Sequence, residues 1–153
     1  MPRPARTPLG LHLTRVSRTV SRAFDDALAG AGGSLPVWLV LLSLKSGQLA
    51  SQRELAEDVG IQGATLTHHL NAMESSGLVT RRRDPGNRRL HRVELTAEGD
   101  ALFFRLRDVA MAFDRTLRAG LSDAEAGQLE ALLTRLRDNV TSGWRGTRSE
   151  TGR

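Results

Sequence analysis

Six arginines fall within twelve residues, at Arg81, Arg82, Arg83, Arg88, Arg89 and Arg92, and the acids nearest them are Asp84 and Glu94. Guanidinium groups hold their charge at any physiological pH. Their planar donors meet phosphate oxygens, or the O6 and N7 edge of guanine, in pairs. Just upstream, residues 62–75 place Ala64, Thr65, His68, Asn71 and Ala72 on one side of a helical period, with Thr67 and His69 on its flanks. Such a face lets a backbone approach base edges, because bulk is missing and hydrogen-bonding groups are present. An ordinary solvated helix face would have the same composition, so the helix alone does not decide the chemistry. The arginine cluster beside it does, and the pair of features predicts a grip on nucleic acid. The arginine preference has a second source as well: one lysine, Lys45, stands against twenty-one arginines, a bias that a GC-rich genome also produces.

Other chemistries find little support. No serine or aspartate is paired with a histidine at motif spacing, and no glycine-rich loop follows a strand, so no enzymatic activity and no cofactor are expected. The chain has no cysteine, which excludes disulfides and thiolate metal sites. Of the four histidines, His12, His68, His69 and His91, the adjacent pair points about 100° apart on a helix and cannot chelate one metal as an i, i+4 pair does. Facing phosphate, His68 and His69 would instead add positive charge as pH falls.

The elements that must hold these residues can be read in order. Ser51-Gln52-Arg53-Glu54 matches a capping box and opens a helix carrying Leu55, Ala56 and Val59. Gly60 ends it, Ile61 plugs the turn, and the next helix, about 62–75, buries Leu66, Leu70 and Met73. After Gly77, a strand starts at Leu78-Val79, Asp84-Pro85-Gly86-Asn87 has turn chemistry, and a return strand over 90–95 puts Val93 and Leu95 opposite Arg92 and Glu94. Ahead of this unit, Leu13, Val16, Val20, Phe24 and Leu28 mark an amphipathic helix, and Ser34 caps a second, largely apolar one with Val37, Trp38, Leu41, Leu42 and Leu44. Behind it, Thr96 caps a helix with the stripe Leu102, Leu106, Val109, Phe113 and Leu117. Ser122-Asp123-Ala124-Glu125 opens a last helix with Leu129, Leu132, Leu133, Leu136 and Val140. With a ribbon but no sheet to bury them, the first and last helices are expected to pack on each other and on a second copy.

The chain of 153 residues fits one domain, 1–153, with no apolar run near the roughly 18 residues of a membrane span. Its basic N-terminus lacks the apolar core of an export signal, so the expected compartment is the cytoplasm.

The chain from about Leu9 to Val140, and most specifically from Leu66 to Gly99, resembles the MarR family of winged helix–turn–helix regulators. The shared pattern is Glu74, Gly77-Leu78-Val79, basic Arg81 to Arg83, Asp84-Pro85, Asn87-Arg88-Arg89 and Leu95-Thr96 before Gly99. That resemblance implies a mainly α fold with a small β-hairpin wing. It places a winged helix–turn–helix over 34–96, N- and C-terminal dimerisation helices over 9–30 and 97–142, and flexible tails at 1–8 and 143–153. It further implies a homodimer that presents two reading helices roughly 34–36 Å apart to a palindromic site in double-stranded DNA, commonly as a repressor. Thr65, Thr67 and His68 would touch bases or phosphates, alongside Ala64, His69 and Asn71. Arg89, helped by Arg88 and with Arg81, Arg83 and Asn87 nearby, would probe the minor groove from the wing, while Ser51 and Arg53 would anchor phosphates. The family usually has aspartate where this chain has Asn87, a carboxylate that orients a wing arginine. Members are commonly released from DNA by small phenolic or anionic effectors, for which His12, Arg15, Arg18 and Trp38 are candidate contacts. Trp38 reads more readily as plain core, and the arginines as a solvated face. An architectural or protein-docking winged helix without sequence preference is the alternative use of the same fold.

Overall fold

The computed structural model describes residues 6–47, 50–89 and 91–143. Its elements, in chain order, are α1 (Leu9–Gly30), α2 (Leu35–Ser46), β1 (Ala50–Ser51), α3 (Gln52–Val59), α4 (Gly63–Ser75), β2 (Val79–Arg83), β3 (His91–Leu95), α5 (Ala97–Leu117) and α6 (Asp123–Gly143). The chain divides into two compact units, Met1–Phe113 and Asp114–Arg153. Residues 1–5 and 144–153 of the expected tails, and Leu90 of the expected return strand, lie outside the described residues. Gly143, expected in the tail, ends α6.

In the first unit α2 is apolar around most of its circumference, and such a helix is largely buried. Val40 and Leu41 are completely so, and Trp38 and Leu44 nearly so. They meet Leu55 of α3, Leu66, Leu70 and Met73 of α4, Val79 and Val93 of the strands, and Leu102 and Leu106 of α5 in one core. Trp38 stacks on Phe103 with ring centres 5.6 Å apart, and Phe24 of α1 stacks on Phe113 at 4.8 Å. The start of α2 is capped twice. Ser34 Oγ accepts from the Val37 amide, as its position predicts, and Asp25 of α1 accepts from the Leu35 amide at 2.7 Å.

The ribbon is the part that differs from expectation. It is a three-stranded antiparallel sheet in the order β1-β3-β2, not two strands. Ala50 pairs with Val93 and Ser51 with Arg92, so the residues that lead into α3 form the outer edge of the wing sheet. Two residues are too short for any alternation to show in sequence. Behind the sheet, Gly99 lets α5 pass close to the preceding turn. A Cβ there would collide with the Leu78 carbonyl oxygen, which already accepts the Thr96 amide at 3.1 Å.

The terminal helices carry much apolar surface that the chain leaves uncovered. On α1, Leu28 is buried and Phe24 and Val20 are half-buried, yet Leu9, Leu11, Leu13 and Val16 are exposed. In the second unit, Leu129, Leu132, Leu133 and Val140 of α6 are all exposed, between 41% and 63%. The predicted capping box forms there: Glu125 accepts from the Ser122 amide and returns its own amide to Ser122 Oγ. The first of those bonds holds the Glu125 carboxyl below the usual carboxylate range.

Candidate nucleic-acid interface

The helix–turn–helix is set by its caps. Ser51 Oγ accepts from the Glu54 amide, and Glu54 accepts from the Ser51 amide at 3.0 Å, which closes the predicted capping box. Gly60 then turns the chain with φ 74°, a left-handed conformation that costs glycine little. Gln62 precedes α4 without a side-chain cap. Leu66, Leu70 and Met73 are buried as the period requires, so Ala64, Thr65, His68, Asn71 and Ala72 face outward, with Thr67 and His69 half-covered. The His68 and His69 rings sit edge-on, 5.8 Å apart.

Two of these polar groups are already engaged. Thr67 Oγ1 donates to the Gly63 carbonyl and accepts from Gln52 Nε2 at 2.6 Å, so its only proton is committed within the protein. Asn71 Oδ1 accepts from Arg81 Nη2, also at 2.6 Å. Arg81 in turn donates to Glu74 through Nε at 2.9 Å and Nη2 at 2.5 Å, a pairing that holds the Glu74 carboxyl below the usual carboxylate range. Arg81, one of the expected DNA contacts, is half-buried and braces β2 against α4.

The other wing arginines separate in the same way. Arg82 and Arg92 are direct cross-strand partners, a like-charge pairing that ordinarily opposes sheet formation. Each has its own acid: Arg92 donates to Asp84 at 2.7 Å, and Arg82 lies 3.9 Å from Glu94. The Arg92 bond first, and the Gly86 amide next, depress the Asp84 carboxyl, which organises the turn that Asp84-Pro85-Gly86-Asn87 predicts. Asn87 Oδ1 accepts from the Arg89 backbone amide at 3.1 Å, so the side chain that stands where a carboxylate is usual shapes the tip through the main chain. Among the described residues Arg83, Arg88 and Arg89 have no ion-pair partner, and all three are exposed. Arg53 is exposed at the start of α3 with only a loose bond to Glu57.

An open groove of about 720 Å³ lies between these parts, lined by Ser51, Gln52, Arg53, Thr67, Arg89 and His91 among others. It joins the start of α3, the first turn of α4 and the wing tip around one concavity. Sequence reasoning missed Gln52, the brace role of Glu74 and the tie from Arg92 to Asp84. The last two join residues seven and eight apart across turns, where no periodicity rule applies. The candidate effector contacts are placed apart in kind: His12 and Arg15 are exposed on α1, whereas the Trp38 ring is buried in the stack with Phe103.

The MarR family profile matches residues 34–91, which spans the start of α2 to the return strand of the wing. A putative transcriptional regulatory protein for the hcr operon of Thauera aromatica is 30% identical over 129 residues, 84% of this chain and 78% of its own. The chain belongs to the MarR family. As a MarR-family protein it is a DNA-binding transcriptional regulator and not an enzyme. Solved relatives share the fold over almost their whole length. BpsR of Bordetella bronchiseptica, whose DNA binding is regulated by 6-hydroxynicotinic acid, superposes with TM-score 0.80 at 22% identity, covering 90% of this chain and 99% of its own. A cysteine-to-serine mutant of MarR from E. coli, complexed with operator DNA, has TM-score 0.78 and 25% identity over 84% of this chain and 93% of its own. Among the described residues no single helix is long and apolar enough to cross a membrane.

Proposed function

We propose that this MarR-family regulator is a cytoplasmic homodimeric repressor, acting as one functional domain, that binds a palindromic operator and is released by a small anionic or phenolic effector. The observation that carries the reading is the groove that gathers Arg53, Thr67 and Arg89 around one concavity, with the exposed short-chain face of α4 beside it. In this reading α4 enters the major groove with Ala64, Thr65, His68 and His69 at base edges. Arg83, Arg88 and Arg89 follow the backbone into the flanking minor groove, and Ser51 and Arg53 hold phosphate. Thr67, its proton committed, contributes shape and one free lone pair.

The uncovered apolar residues of α1 and α6 support the dimer, since water-exposed leucine rows on two helices are stabilised by a second copy. The regulation of BpsR by an aromatic acid supports an effector of that class, met here by His12 and Arg15 on α1, with Trp38 a contact only if the core beside α2 opens. Selection of bound fragments from sheared genomic DNA with purified protein tests the proposal. A repressor of this kind enriches a palindromic site by at least about 10³-fold over random DNA. Uniform retention of all fragments, lost equally as salt rises, would favour the architectural alternative.

A further inference from the structure

We infer that Asn71 presents its amino group to base edges, oriented by the Glu74–Arg81 brace, and that it selects guanine or thymine and disfavours adenine at one position of each half-site. The inference rests on α4 being the helix that enters the major groove. An asparagine amide ordinarily offers a base one acceptor and one donor, and it uses both to bind adenine at N6 and N7. Here the carbonyl oxygen is turned toward the brace, with one of its two lone pairs taken. Arg81 Nη2 donates to Asn71 at 2.6 Å, and because a guanidinium has no acceptor, the atom it meets must be the carbonyl oxygen Oδ1. Arg81 is held in place by two bonds to Glu74, one turn further along the same helix face. The Asn71 amide nitrogen therefore turns away from the brace. No residue among those described takes its two hydrogens, and the residue is exposed in line with Ala64 and His68.

An outward amino group can donate to an acceptor of guanine, O6 or N7, or to the O4 of thymine. Adenine offers N7 but sets its own amino donor against the amide. The brace also ties this preference to the wing, since Arg81 belongs to β2 and Asn71 to the reading helix.

The test is selection from a random DNA pool by the full-length wild type, Asn71→Ala, Asn71→Asp and Arg81→Gln, with thermal unfolding to confirm that each variant is folded. The wild-type motif should hold one symmetric position where guanine or thymine dominates. Asn71→Ala should relax that position alone. Asn71→Asp, which presents an acceptor outward, should turn the preference toward the cytosine amino group by on the order of tenfold. Arg81→Gln, which releases the amide, should admit adenine there. The inference is overturned if the variants share the wild-type motif at every position, even with weaker affinity, because Asn71 would then be on phosphate or idle. It is also overturned if the wild type prefers adenine at the position that Asn71→Ala relaxes. A wild type that selects no motif would overturn the operator reading itself, and this inference with it.

Discussion

The structure sorts the wing arginines into two kinds, and salt dependence should separate them. Each cation that neutralises a DNA phosphate releases about one counterion, so log K falls with log salt by roughly 0.9 for every such contact. Arg89 is exposed and unpaired among the described residues, and a dimer presents two of them. Arg89→Ala should therefore flatten the slope by about 1.8. Between 100 and 400 mM salt that difference amounts to about a twelvefold convergence of the variant's affinity with the wild type's. Arg81 is already neutralised by Glu74. The paired variant Glu74→Gln/Arg81→Gln removes one charge of each sign and should leave the slope where it was, while altering base preference through Asn71. Fluorescence anisotropy with a labelled operator duplex over that salt range gives both slopes. If the paired variant flattened the slope as far as Arg89→Ala does, Arg81 would have to leave Glu74 for DNA on binding, and the sorting would be wrong.

Gly99→Ala should destabilise the fold by about 1–3 kcal/mol, the range for an overpacked site, because its Cβ meets the Leu78 carbonyl of the backbone. At roughly 2–4 °C per kcal/mol for a chain of this size, thermal unfolding should show it plainly. Gly33→Ala should cost less, since the atoms nearest its Cβ, from 2.6 Å, belong to the Leu106 side chain and not to the backbone; a larger loss there than at Gly99 would contradict the packing. Leu132→Glu on the exposed face of α6 should shift sedimentation toward monomer and weaken operator binding together, and unchanged mass with unchanged affinity would remove α6 from the interface. The Glu74 and Asp84 carboxyls are depressed by Arg81 and Arg92, so their contribution is present above the ordinary carboxylate range of about 4 and is lost as pH falls through their folded values. Amide exchange in β2 and β3 should accelerate at the acid side, and Glu74→Gln/Asp84→Asn should remove that dependence.

Much of the helical frame was legible because local rules govern it. The box at Ser51 and Glu54, the left-handed turn at Gly60 and the inward row of Leu66, Leu70 and Met73 each follow from residues within a few positions of one another. What escaped is long-range or too short to have a period. Ala50 and Ser51 make a strand only because β3 lies beside them. Gln52 reaches Thr67 across fifteen residues, and Asp25 reaches Leu35 across ten, with no composition signal at either. At the interface, residue type announced the arginines but not their assignments. A guanidinium in a cluster reads the same whether it faces solvent, as at Arg89, or Glu74, as at Arg81, until the fold brings the acid alongside.

Ser51 belongs to two structures at once, as the last residue of β1 and the cap of α3. A hairpin hinged only at its base could flex on its own timescale while the reading head stood still. Here tilting the sheet would move the residue that starts the helix–turn–helix, which couples the two. Engagement of a half-site should then proceed with a single relaxation rate, seen alike by a probe on the wing tip and a probe on α3.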